Sequence, residues 1–179
     1  METQPGRPGL ARRTLVLIAV GSVAVTVLVI VGVLSATGQF TPAAASRQQM
    51  VHDMGSQVMP FDLDKTTHVF KVTDTGGIQQ VIAKDPTDQQ QIALIRQHLQ
   101  HETMQFGLGN FSDPSTLHGP DMPGLKELEA GAGQIKVEYT TLPNGAQLTY
   151  TTPDPQLITA LHQWLGAQLS DHGQDATNR

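Results

Sequence analysis

"KTTHVFKVTDTGGIQQVIAKD", residues Lys65–Asp85, decides the fold of the C-terminal part of the chain. Two runs rich in β-branched residues flank Asp74–Gly77, where the glycines can supply the positive φ that a tight hairpin needs. Asp85-Pro86 then resembles a helix N-cap followed by proline at the first helical position. Apolar residues continue at helical spacing over residues 92–106. The stretch therefore predicts a ββα unit.

A second stretch repeats this pattern. "QIKVEYTTLPNGAQLTYTT", residues Gln134–Thr152, has two alternating runs around Asn144-Gly145, a strong short-range hairpin signal. Asp154-Pro155 precedes another apolar helical run, 69 residues after the first Asp-Pro pair. Two such units predict an α+β domain: a tandem ββα repeat forming a four-stranded antiparallel sheet with two helices on one face. The Gly- and Pro-rich connection between the units, with a short helix expected over residues 121–130, is long enough to suggest a functional role.

The N-terminal part carries a long apolar run. "LVLIAVGSVAVTVLVIVGVLSA", residues Leu15–Ala36, has no charge over 22 residues, enough to cross a hydrocarbon core of about 30 Å. A cleaved secretory signal is the alternative, but its apolar region is usually only about 7–15 residues long. The three arginines before the run favour a cytoplasmic N-terminus. We therefore predict an uncleaved, single-pass transmembrane helix.

The predicted organisation has five segments. In order they are a cytoplasmic tail (1–13), a transmembrane helix (14–36), a tether with a Met- and His-rich juxtamembrane stretch (37–60), an extracytoplasmic ββα-ββα domain (61–173) and a disordered tail (174–179). Residues 48–179 carry seven Lys or Arg and fifteen Asp or Glu, so this part should repel nucleic acid. The absence of cysteine excludes disulfides and thiolate metal sites.

"RQHLQHETMQF", residues Arg96–Phe106, holds the main candidate site. His98 and Glu102 lie four residues apart on the predicted helix, a spacing that suits two metal ligands or an acid/base pair. Glu102 falls near the apolar side, where a carboxylate is costly unless it is paired or protonated. The side chain of His101 lies further around the predicted helix, away from His98 and Glu102. The alternative is that all three form the polar edge of a packed helix.

Two other histidines extend this candidate site. His68 alternates with Phe70 along a predicted strand, so it faces the helices and could be a third ligand. The alternative for His68 is a core histidine bonded to a backbone carbonyl. His118, in the Gly- and Pro-rich connection, is a further loop ligand, or else a solvated side chain.

A second candidate lies in the juxtamembrane stretch. Met50, His52 and Met54 place two thioethers and an imidazole close together, donors that suit Cu(I). They could serve as a capture or transfer arm. The alternative is a short amphipathic segment lying on the membrane or on the domain.

The chain resembles an uncharacterised family of bacterial membrane-anchored envelope proteins that are often named aspartate carbamoyltransferase automatically. The resemblance spans about residues 59–173 and rests on the motifs "FDLDKTTHVFKVTDTGGIQQVIAKDP", "IRQHLQHE", "FSDPSTLHGPDMPG" and "LTYTTPDPQLITALHQWLGAQLSDHG". It implies that His68, His98, His118 and His162 fall at the family's histidine-bearing motifs, and it implies a location at the bacterial plasma membrane. The transferase activity itself does not fit, because residues 48–179 hold a single arginine, Arg96, before the C-terminal one and cannot form a carbamoyl-phosphate clamp.

These observations predict an extracytoplasmic domain that binds a transition metal, copper first and zinc second, for sensing, buffering or delivery. The inner site would be His68, His98 and Glu102, with no catalytic residue assigned. The main alternative is a non-catalytic module that docks another envelope protein. A small hydrolase using His98 and Glu102 is a third hypothesis, but the sequence shows no nucleophile motif.

Overall fold

The computed structural model describes residues 42–179. Every strand of the described part lies within one compact unit, Ala45–Arg179. The elements in chain order are α1 (Pro42–Val58), β1 (Thr66–Thr73), β2 (Gly76–Ala83), α2 (Gln89–Gly107), α3 (Ser112–His118), α4 (Leu125–Gly131), β3 (Lys136–Leu142), β4 (Gly145–Thr151), α5 (Pro155–His172) and β5 (Ala176–Thr177). The described fold is α+β.

The sheet has five strands in the order β3-β4-β2-β1-β5. Both hairpins are present, and β2 pairs antiparallel with β4 to join them. The outermost strand, β5, runs parallel to β1. The prediction of a four-stranded antiparallel sheet is therefore wrong, because the described sheet is mixed and gains its fifth strand from the C-terminal tail.

The fifth strand comes from the stretch predicted to be a disordered tail. After α5 the chain turns at Gly173, whose φ of +54° favours glycine, and a short 3₁₀ turn leads into β5. Ala176 and Thr177 then pair with His68 and Val69. Two residues are too few to show a strand period, so only docking against β1 reveals this strand.

The two long helices begin at aspartates. Asp154 caps α5 by accepting a hydrogen bond from the Gln156 amide, and proline follows it as predicted. In α2 the cap is Asp88, which accepts from the Gln91 amide, and not Asp85. Asp85 instead accepts hydrogen bonds from the amide and hydroxyl of Thr87 within the preceding turn.

Each long helix covers the hairpin of the other repeat. α2 packs mainly on β3 and β4, whereas α5 packs mainly on β1 and β2. The two helices share one face of the sheet, because Tyr150 of β4 lies under aromatic rings from both, 6.2 Å from Phe106 and 5.5 Å from Trp164 between ring centroids. This crossed arrangement decides which histidines meet.

The stretch predicted to be part of a tether contains helix α1. Val51 is fully buried in the core, and α1 is joined to the C-terminal end of the chain by polar contacts. Arg47 donates to the Asp171 carboxylate, and His52 lies 2.8 Å from an Asp175 carboxylate oxygen. Residues 42–58 are thus part of the folded domain.

The structure also bears on the predicted membrane anchor. Across residues 42–179, no helix combines the length and the apolar character needed to cross a bilayer. This finding goes against the prediction of a single-pass membrane protein. The stretch predicted to span the membrane, residues 14–36, lies outside the described residues.

A glycine at the start of α4 provides a test of this packing. Gly124 has a φ of +79°, and a Cβ atom there would come within 2.2 Å of the Ala160 carbonyl oxygen of α5. We expect Gly124→Ala to lower the free energy of unfolding by at least about 2 kcal/mol. Gly166→Ala is the matched control: its Cβ would meet nothing within 4 Å, so it should raise helix stability by about 0.5–1 kcal/mol. Urea denaturation of both variants measures the difference, and equal effects would contradict the close approach of α4 to α5.

Candidate metal centre

Three side chains from two helices converge beside the sheet. One ligand atom each of His98, Glu102 and Asp113 lies within 4.8 Å of the other two. His98 and Glu102 occupy successive turns of α2, and Asp113 lies in the first turn of α3. The sequence predicted the first two residues and missed Asp113. The sequence holds one signal for Asp113. It is an aspartate followed by proline, within the connection that was predicted to be functional.

Aromatic packing holds Asp113 in place. Phe111, two residues earlier, is 3 % exposed and stacks on Phe106 of α2 with ring centroids 4.7 Å apart. It also meets Trp164 of α5 edge-on at 5.8 Å. Phe111 therefore anchors the start of α3 against both long helices, and this brings Asp113 to the carboxyl group of Glu102.

Glu102 and Asp113 interact as a proton-sharing pair. Glu102 is 3 % exposed. Burial, together with the hydrogen bond and the negative charge of Asp113, raises its pKa to about 9. At neutral pH Glu102 therefore carries a proton and donates it toward Asp113. A cation placed between the two oxygens would replace that proton.

His98 is held as a neutral imidazole. Burial lowers its pKa to about 4, and this is partly opposed by Asp113. Its ring packs edge-on against Phe61 at a centroid distance of 5.5 Å. A neutral ring keeps a nitrogen lone pair for a metal at neutral pH, which a protonated ring would not.

The three side chains open onto a cavity of about 30 Å³, which can hold about two water molecules. The walls are lined by Val58, Met59, His68, Gln79, Val81, His98, Glu102, Phe106, Asp113, Pro114, Leu117, His118, Gln168 and His172. This volume suits an ion better than an organic substrate.

The other predicted ligands of this region, His68 of the inner site and the loop residue His118, line the same cavity. His68 and His118 are each 3 % exposed. Neither belongs to the group formed by His98, Glu102 and Asp113. His68 instead stacks on His172 at 4.5 Å, because α5 and not α2 covers β1. The sequence placed His172 near a disordered end, and the structure places it in this wall.

The Met- and His-rich stretch is not gathered into one site. Met50 is 52 % exposed, Met54 is partly buried against the core, and His52 contacts Asp175. On a helix, residues two apart do not face each other, so His52 points away from both methionines. The nearby Met59 is buried and lines the cavity.

The remaining histidines have other surroundings. His101, one turn from His98 on α2, is exposed. His162, which the family resemblance assigned to a motif, donates from Nε2 to the Thr73 carbonyl oxygen at 2.9 Å. Neither lines the cavity.

Comparison of the chain with protein-family models, with curated proteins and with solved structures gave no match.

Proposed function

We propose that this chain binds a divalent transition-metal ion, Cu(II) or Zn(II), through His98, Glu102 and Asp113, and that it senses, buffers or delivers that ion. The observation that carries this proposal is the convergence of three ligand atoms from α2 and α3 within 4.8 Å. The small volume of the cavity favours an ion over a substrate. We infer binding and not catalysis.

The donor set favours a divalent ion over Cu(I). One imidazole and two carboxylates are borderline to hard donors that suit Zn(II) and Cu(II), whereas Cu(I) prefers thioethers and thiolates. Met50 and Met54 do not line the cavity. Two ionised carboxylates would also neutralise the charge of a divalent ion in a buried site, where an unpaired charge is costly.

Binding at this site is coupled to a proton. Because Glu102 is protonated at neutral pH, a bound cation must displace about one proton from it. The affinity should therefore increase as the pH rises toward the raised pKa of Glu102.

A titration with matched histidine variants tests the proposal. We expect Zn(II) and Cu(II) to raise the melting temperature of the full-length chain, with a stabilisation of about 2.7 kcal/mol at a free-ion concentration 100 times Kd. His98→Ala should weaken this response. His101→Ala removes an exposed histidine on the same helix and should keep it.

Two outcomes would contradict the proposal. One is an equal response of the two variants, since exposed histidines would then account for the binding. The other is the absence of any stabilising ion, in which case a module that docks another protein becomes the better account.

A further inference from the structure

Three buried nitrogen atoms of side chains that line the cavity have no hydrogen-bond partner among residues 42–179. They are His68 Nδ1, His118 Nε2 and His172 Nδ1. These side chains are 3 %, 3 % and 4 % exposed. An unsatisfied buried polar atom destabilises the folded state, so three in one cavity call for a ligand that uses them.

The three rings are neighbours. His172 stacks on His68 at a centroid distance of 4.5 Å and meets His118 edge-on at 5.1 Å. Strand β1, helix α3 and helix α5 each contribute one ring. All three line the same cavity as the candidate metal centre, but they are not among its three convergent residues.

His118 has the surroundings typical of a metal-binding histidine. Its Nδ1 lies 3.0 Å from a carboxylate oxygen of Asp171, and that carboxylate accepts two hydrogen bonds from Arg47. An imidazole that donates through one nitrogen to a carboxylate has its lone pair on the other nitrogen, and metal-binding histidines commonly show this arrangement. In His118 that other nitrogen is the unpartnered Nε2.

We propose that His68, His118 and His172 form a second metal site in the same cavity, made of imidazoles alone, with Asp171 and Arg47 as residues that position His118. Imidazole donors suit copper and zinc, and they add no negative charge, so this site differs in preference from the carboxylate site. The nearly parallel stacking of His68 and His172 means that one ring turns about its Cβ–Cγ bond to direct its lone pair at the ion. This second site does not depend on the proposed function, because the two sets share no residue.

Counting bound ions per chain tests this proposal. We expect full-length protein dialysed against micromolar Zn(II) to hold two ions by elemental analysis. His172→Phe keeps an aromatic ring at that position and should hold one. Glu102→Gln should also hold one, through the histidines, and the double variant none. His101→Ala, the surface control, should hold two.

The single variants separate this inference from the proposed function. A His172→Phe variant that holds as many ions as the wild type would overturn the second site. If His172→Phe loses an ion while Glu102→Gln loses none, the imidazole site stands and the carboxylate site fails.

A variant of the positioning residue guards against a folding failure of His172→Phe. Asp171→Asn leaves all six ligands in place but removes the charge that orients His118. We expect Asp171→Asn to weaken the binding of one ion about 10- to 100-fold and to leave the binding of the other unchanged. If the affinity for both ions falls equally, or for neither, the result would count against the role of Asp171.

Discussion

Glu102→Gln should make the metal-free protein more stable at pH 8 and, at the same time, abolish its stabilisation by metal at the carboxylate site. Glutamine has the shape of a protonated glutamate and its amide can donate to Asp113, so the variant keeps the contact without a titrating group. We expect the free energy of unfolding to increase by an amount on the order of 2–5 kcal/mol at pH 8. At this pH the wild type must either keep Glu102 protonated or bury its charge, and both are costly. An amide is a poor ligand for Zn(II), so the ion loses one of its two carboxylates.

The sign of the pH dependence follows from the direction of the pKa shift. The pKa of Glu102 rises from 4.5 to about 9 on folding, so between these values the folded protein holds a proton that the unfolded chain has released. The contribution of Glu102 to stability is therefore fully present below about pH 4.5 and is lost as the pH rises toward 9. The wild type should lose stability over this range through Glu102, and the glutamine variant should lack this component.

The buried histidines act in the opposite direction at lower pH. Burial lowers the pKa of His68 from 6.5 to about 3 and that of His98 to about 4. Below pH 6.5 the unfolded chain binds protons that the folded protein does not bind, so the free energy of unfolding falls as the pH drops. Metal-free wild type should therefore be most stable near neutral pH.

Denaturation curves at pH 5 to 9, with and without Zn(II), measure these effects. Glu129→Gln is the control, because Glu129 is an exposed carboxylate and its replacement should change neither profile. A Glu102→Gln variant that is less stable than wild type at pH 8 would show that the carboxylate is ionised and well paired, which contradicts the proton-sharing pair.

Trp164→Ala should be the most damaging substitution in the core. Trp164 is fully buried and meets the rings of Phe106, Phe111 and Tyr150 at 5.9, 5.8 and 5.5 Å. Removing so large a buried side chain costs about 3–5 kcal/mol. Because Trp164 supports Phe111, which positions α3, the variant should also bind metal more weakly at Asp113.

Trp164→Phe is the matched comparison. Trp164 Nε1 has no hydrogen-bond partner among residues 42–179, so phenylalanine removes an unsatisfied donor together with some volume. We expect this variant to lose less than about 1.5 kcal/mol. Chemical denaturation followed by circular dichroism compares the two, since Trp164 is the single tryptophan of the chain. A loss below about 1 kcal/mol in the alanine variant would contradict the packing of both helices around this ring.

Local sequence patterns were enough for the hairpins, for the long helices and for two of the three residues of the candidate site. Alternation and glycine turns depend on neighbouring residues, so both hairpins were predictable. The pairing of His98 with Glu102 depends only on helical periodicity, and the structure brings the two together with Asp113. Asp113 itself was not predictable, because no local rule places the start of α3 against α2.

The sequence by itself determined the ββα pattern of the chain and the helical face that carries His98 and Glu102, because both are set by contacts a few residues long. Only the tertiary structure decided that each helix covers the other repeat's hairpin, and this places His172 and not Glu102 over His68. It also decided the fifth strand and the approach of Asp113. These features depend on burying apolar surface between segments far apart in the chain, and the period of any one segment does not show which partner it will meet.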